Sequence, residues 1–351
     1  MKHRSLRVAV GLMALTVGVV AQVAHPLHAA AVDYRLFRDV HVGGEGGWDY
    51  LTVDPEARRL YVTHSTKIVV IDLDTFTVIG EIGDLSGVHG FAVAPDLHRG
   101  FASNGQTASV TIVDLGTLKA IGSVKTGDNP DAVLYDPGSR EVYAFNGRSN
   151  SATVFAADSG NVLATVPLPG KPEFATVDTA AHRVYVNVED QNEVVAINDT
   201  THTVAAVWPI APGEAASGMA IDRGHHRLFL VCENKLMVMM DSETGKVVAT
   251  VPIDAGTDAA AFDPGTGLAF SSNGEGTVTI AHEESPEKLI VVQTLTTQRS
   301  ARTMTLDPSA HNIFLSAATP EPMPEPPPGA PRQRPKMMPD TFRVLVYGPG
   351  R

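Results

Sequence analysis

The chain carries a single cysteine, Cys232, so it has no internal disulfide and no set of thiolates for a metal. Charge is scarce too, at 19% of residues, yet 43% hydrophobic residues make the chain too apolar to stay disordered. Long helices are opposed by 31 glycines and 24 prolines. There is no Gly-x-Ser-x-Gly, no phosphate-cradling loop and no dinucleotide fingerprint, and Ser217 has no identified base. Cys232 follows Val231 on an apolar segment and reads as buried filler rather than a nucleophile.

The apolar run at residues 8–21 is shorter than the roughly 20 residues a spanning helix needs. It follows Lys2, Arg4 and Arg7 and precedes Ala29, Ala30 and Ala31, the order of a secretory signal at residues 1–31. The sequence therefore predicts a secreted or periplasmic protein, cleaved after Ala29 or Ala31, with no stable membrane insertion afterwards. An uncleaved anchor is the alternative. Cleavage leaves 27 − 3 = 24 basic against 39 acidic residues, a formal charge of −15. That charge disfavours nucleic acid and anionic lipid as partners.

What the chain does have is a repeat. VDPEARRLY, VAPDLHRGF, YDPGSREVY, VDTAAHRVY, IDRGHHRLF, FDPGTGLAF and LDPSAHNIF follow one another along residues 53–314. Their second residues, from Asp54 to Asp307, are spaced by 40, 42, 42, 44, 41 and 44. Seven residues beyond each marker stands an aromatic: Tyr61, Phe101, Tyr143, Tyr185, Phe229, Phe270 or Phe314. Within a unit, short Val- and Ile-rich runs such as RLYVTH and KIVVIDL alternate with turn residues, which is strand chemistry. Four strands at a period in the forties describe a propeller blade. The prediction is all-β: one domain at residues 32–351, a seven-bladed β-propeller of four-stranded antiparallel blades. The last unit lacks a fourth strand, and the segment YRLFRDV from Tyr34 supplies it by closing the ring.

LYVTHSTKIVVIDL, FASNGQTASVTIVDL, VYVNVEDQNEVVAIN and FSSNGEGTVTI resemble the YVTN-type repeats of YncE-like secreted β-propellers, and more distantly the lactonase-type seven-bladed propellers. The resemblance covers the whole chain after the signal and implies a fold rather than a reaction. The recurring Gly-His and Trp-Asp marks of WD40 repeats are missing, since Trp48-Asp49 begins an inner strand instead of ending one.

Strand direction sorts the polar residues onto two rims. On one, His98, His182, His225, His226 and His311 fall in turns between first and second strands, and His202 and His282 lie on the third-to-fourth side. All seven read as solvated turn residues. On the other, five residues before each marker, where the innermost strands begin and the channel opens, stand Asp49, His89, Asp131, Glu173, Ser217, Asp258 and Arg302. Acids make up 39 of 351 residues, so four among seven positions is an enrichment.

Two readings of this ring stay open. One is a hydrated mouth in which Arg302 pairs with an acid and His89 bonds to a neighbour. The other is a ligand site, because converging carboxylates raise each other's pKa and favour a cation or polar ligand. Asp49, Asp131, Glu173 and Asp258 would offer oxygen donors to calcium or magnesium, and His89 would move protons, oriented by Asp131 or Glu173. At the ends of second strands on the same rim stand His64, Asn104, Asn146, Val188, Cys232, Asn273 and Ala317. The three asparagines are further ligand candidates, although each precedes glycine and Asn-Gly is also a hairpin signal. Residues 319–339 insert nine prolines with Arg332, Arg334 and Lys336 in blade seven, either as a tolerated loop or as a basic flap over the mouth.

Two functions follow from the ring. The first is a monomeric binding or scaffold protein that takes a small molecule or a protein at its channel mouth. The second is a metal-assisted, lactonase-like hydrolase or lyase using the same mouth.

Overall fold

The computed structural model describes residues 33–322 and 336–350. The expected signal lies outside the described residues, as does the proline-rich insertion between its two ends. Among the described residues the chain forms seven four-stranded antiparallel sheets. Blade 1 comprises Trp48–Asp54, Arg59–His64, Lys67–Asp72 and Thr77–Ile82, in that order from the channel outwards. The innermost strands of the next five blades are Val88–Ala94, Pro130–Asp136, Pro172–Asp178, Ala216–Asp222 and Thr257–Asp263, and that of blade 7 is Met304–Asp307. First strands of successive blades pack side by side, and the one in blade 7 packs against the one in blade 1.

Closure uses the segment picked out by the sequence. Tyr34–His41 pairs antiparallel with Arg343–Pro349 and completes blade 7. Its Tyr34 also meets the Phe270 ring edge-on at 5.3 Å and exchanges two backbone hydrogen bonds with the Gln293 amide, so the closing strand grips blade 6 as well.

Burial follows the layers. Second and third strands are apolar on both faces because each blade is sandwiched by two others, whereas fourth strands face outwards and are largely exposed. All seven aromatics of the repeat are 0–1% exposed, filling the space between blades. The marker aspartates are buried too. Asp54, Asp136, Asp178, Asp222, Asp263 and Asp307 each accept backbone N–H groups of the turn that follows. Four residues after each marker the backbone turns left-handed, at Arg58, His98, Arg140, His182, His226, Gly267 and His311, with φ between 51° and 68°. Histidine tolerates that region better than most residues, which accounts for its recurrence on this rim.

One irregularity positions the channel mouth. In blades 1 to 6 the pairing of first and second strands slips near the start of the first strand, as between Trp48 and Leu51 or Pro130 and Val133. Asp49, His89, Asp131, Glu173, Ser217 and Asp258 all sit in these bulges, which lift them out of the ladder. Backbone groups freed there are satisfied by second-strand side chains. Thr63 Oγ1 donates to the Tyr50 carbonyl, Ser103 Oγ to the Asp131 carbonyl and the Asn187 amide to the Gly218 carbonyl, the last two reaching the next blade. Gly218 has no room for a side chain: a β-carbon would stand 2.6 Å from the Ala260 amide nitrogen.

The proline-rich insertion was expected to add no strand. Among the described residues it adds none, and its two ends are held by an isolated bridge: Pro320 pairs with Met337, the Glu321 amide donates to the Lys336 carbonyl and the Met338 amide to the Thr319 carbonyl.

Candidate functional site

The bulged positions bring Asp49, His89 and Asp131 together from three consecutive blades. His89 Nδ1 stands 2.7 Å from Asp49 Oδ2 and 3.7 Å from Asp131 Oδ1, so Asp49 holds the imidazole where Asp131 or Glu173 was expected to. The His89 ring edge lies against Gly105, where a β-carbon would come within 2.7 Å of Nε2. Glycine at this point of the Asn104-Gly105 pair thus makes room for the histidine. It is not the left-handed residue of the turn, a position taken by Ala108.

Asp131 Oδ1 is buried and accepts no hydrogen bond. Burial, with the Asp49 charge beside it, pushes the Asp131 carboxyl up to about 7. The hydrogen bond to Asp49 raises the His89 pKa against the opposing effect of burial. Beneath them lies Tyr50, its hydroxyl held far above the usual range by burial and by the charges of Asp131, Glu173 and Asp49. A phenol there stays protonated.

The rest of the ring resolves into pairs. Lys171 Nζ lies 2.8 Å from Glu173 Oε2 and 2.6 Å from Glu189 Oε2, and Arg302 binds the Asp258 carboxylate directly while reaching the Trp48 carbonyl at 3.4 Å. Of the four carboxylates expected to offer metal ligands, Glu173 and Asp258 therefore each hold a cationic side chain, and Asp49 and Asp131 remain with His89 as one group able to take an ion. Ser217 is buried and donates to the Thr257 carbonyl at 3.1 Å. The asparagines are buried within their own blades: Asn104 donates to Thr111, Asn146 to Ser151 and Thr153, and Asn273 to Thr277 and Thr279. They tie second strands to third strands. His64, at the same position in blade 1, is buried and stacks on Phe342 with centroids 4.3 Å apart. Cys232 is buried, as an apolar filler should be.

Two features escaped sequence reasoning at the mouth. Lys171 lies just outside the first strand of blade 4, so alignment of strand positions passes over it. Tyr50 was open to detection: one residue after each ring position the blades carry Tyr50, Gly90, Ala132, Phe174, Gly218, Ala259 and Thr303, two aromatics among small residues.

On the opposite rim His98, His182, His225 and His226 are exposed, as expected, whereas His202, His282 and His311 are only half exposed, and several of the seven are held by carboxylates. His311 Nδ1 lies 2.6 Å from Asp263 Oδ2 of the preceding blade, and His202 Nε2 2.9 Å from Glu141 Oε2 of the preceding blade. His182 lies 3.2 Å from Asp199. His225 joins Asp222 and the buried Glu283 in a second group of ligand-forming side chains. Only His98 and His226 are exposed without an ion pair among the described residues.

No protein-family model matches the chain, and no curated protein does. Among solved structures it is similar to a chain of Kuenenia stuttgartiensis hydrazine synthase, at 18% identity and a TM-score of 0.67, over 78% of this chain and 94% of that one. That likeness carries the propeller fold.

Proposed function

We propose that this is an exported, monomeric propeller of the YVTN type that acts as a binding protein, taking a small cationic ligand, in the first place a divalent metal ion, at the Asp49–His89–Asp131 mouth. One observation carries the reading: Asp131 Oδ1 is buried without a hydrogen-bond partner, and His89 Nδ1, 3.7 Å away, is already engaged by Asp49. A buried acceptor left unpaired is costly, and a cation bridging it to Asp49 would satisfy it. Calcium and magnesium suit the two carboxylates, and zinc and manganese also accept the imidazole. Titration calorimetry of the chelator-treated protein with these four ions is the test. Asp49→Asn and Asp131→Asn should each weaken binding of one ion at least about tenfold, a loss of about 1.4 kcal/mol. Unaltered affinities for all four ions in both variants would sink the reading.

A second reading rests on the His89–Asp49 pair. An imidazole held through Nδ1 by a carboxylate, with Nε2 unbonded, has the arrangement of a general base, and a neutral Tyr50 phenol beneath it could donate a proton. This is the hydrolase or lyase alternative. Hydrolysis of small lactones followed by acid release should then fall about 100-fold or more in His89→Ala.

A further inference from the structure

We propose that Asp222, His225 and Glu283 form a second divalent-cation site, of the zinc or manganese class, on the rim opposite the acidic mouth. Asp222 ends the first strand of blade 5 and His225 lies in the turn after it. Glu283 comes from the third strand of blade 6, Thr277–Ser285, which runs to nine residues where the third strands of blades 1 to 5 have six. Glu283 stands at the position that Leu73, Leu115, Ala157, Asp199 and Ser242 take in the other blades, its amide bonded like theirs to the left-handed residue of its own blade, and Arg227 fixes the hairpin beyond it by donating to the Pro286 carbonyl at 2.6 Å.

The geometry is that of ligands rather than of a simple ion pair. One nitrogen, His225 Nδ1, faces two carboxylates, at 2.8 Å from Asp222 Oδ2 and 3.2 Å from Glu283 Oε1. A single ring N–H cannot serve both well. Asp222 spends its other oxygen on the Gly224 amide at 2.8 Å. Glu283 Oε2 receives no donor among the described residues, although the side chain is only 1% exposed, and the group beside it besides His225 is another acid, the Asp222 carboxylate. The nearby arginines are committed elsewhere: Arg223 donates to the Val177 carbonyl, and Arg227 pairs with Asp241. At the mouth, by contrast, Lys171 and Arg302 already neutralise two of the acids.

Ligand atoms around a tetrahedral zinc stand about 3.3 Å apart, and those of the three side chains lie within 4.8 Å of one another, with both contacts of His225 at 3.2 Å or less. One imidazole with two carboxylates suits zinc or manganese, whereas calcium asks for six to eight oxygens. The group also borders a cavity of about 720 Å³ at this end of the channel, which leaves room for water or an anionic ligand on the ion.

The test uses the whole exported chain, stripped with chelator and titrated with zinc and with manganese. Asp131→Asn serves as background, so that the mouth does not contribute. In that background one equivalent of at least one of the two ions should bind, and adding His225→Ala or the near-isosteric Glu283→Gln should weaken it at least about tenfold. Adding His226→Ala should not, since that neighbour is exposed and outside the group. Circular dichroism of each variant separates lost binding from lost fold, with Glu283→Gln deciding if His225→Ala is unfolded. Binding unchanged in Glu283→Gln, or no binding of either ion in the background, overturns the second site. Loss confined to Asp131→Asn assigns the ion to the mouth alone, and so also overturns it while leaving the first reading intact.

Discussion

Tyr50 of blade 1 meets Phe174 of blade 4 across the channel, with ring centroids 5.3 Å apart and planes inclined at 59°. The pair floors the acidic mouth and separates it from the cavity at the far end, which Leu51 and Phe174 help to line. Tyr50→Ala should join the two spaces and cost roughly 3–5 kcal/mol, as for other large core aromatics. Tyr50→Phe keeps the ring and should cost under about 1.5 kcal/mol. Denaturant unfolding of both variants checks this, and equal costs would mean that the hydroxyl rather than the ring holds the floor.

The fold was legible because it repeats. A buried aromatic, a turn aspartate and a left-handed residue recur in register around the molecule, and each recurrence confirms the others. The ring was legible for the same reason: every blade from 1 to 6 bulges at the position five residues before its marker, so spacing alone finds Asp49, His89 and Asp131. Pairing inside the ring was not. Whether Asp258 holds Arg302 or a metal depends on side-chain direction, which the repeat does not encode. His225 shows the limit most plainly. It stands beside His226, and only His226 occupies the left-handed position that explains a turn histidine. Its partner Glu283 is 58 residues away on another blade, at a repeat position where the other blades carry Leu73, Leu115, Ala157, Asp199 and Ser242, and only the packing of blade 6 on blade 5 brings the two side chains together.

Removal of residues through Val40 would take most of Tyr34–His41 from blade 7 and leave Arg343–Pro349 as an unpaired edge. Tyr34, 2% exposed, would be lost from its contact with Phe270. The truncated chain should aggregate or melt well below the chain that keeps this strand, because an open apolar edge templates pairing with other chains. Light scattering and a thermal scan measure both outcomes, and a monomer with an unchanged midpoint would refute closure by this strand.

Cys232 is fully buried, and burial pushes its thiol up to about 12. Thiolate is the reactive form, so the folded protein should not react with an aromatic disulfide reagent at pH 8 on the timescale of a free thiol. Denaturant should release one equivalent. Rapid labelling of the native protein would place this strand end in solvent.

The mouth also fixes the sign of the pH dependence. Asp131 binds its proton more tightly folded, with a pKa of about 7, than at its ordinary value of 3.8. As pH rises between those values the unfolded chain releases this proton first, so the folded state loses stability across that window. His89 acts in the same direction. Its pKa is raised by Asp49, so its contribution is full below the ordinary histidine value and fades as pH climbs through the raised one. Burial of Glu173 and Glu283 raises their pKa values and adds slope of the same sign. For Asp131 the difference of 7 − 3.8 amounts to on the order of 4 kcal/mol, with the opposing effect of the His89 charge already contained in it. In chelator, stability to urea should therefore fall from pH 4 to pH 8. Asp131→Asn should flatten that decline and be more stable than the unmodified protein at pH 8. An identical slope in the variant would mean that Asp131 is ionised throughout, and that the mouth does not hold its charge in the way the geometry implies.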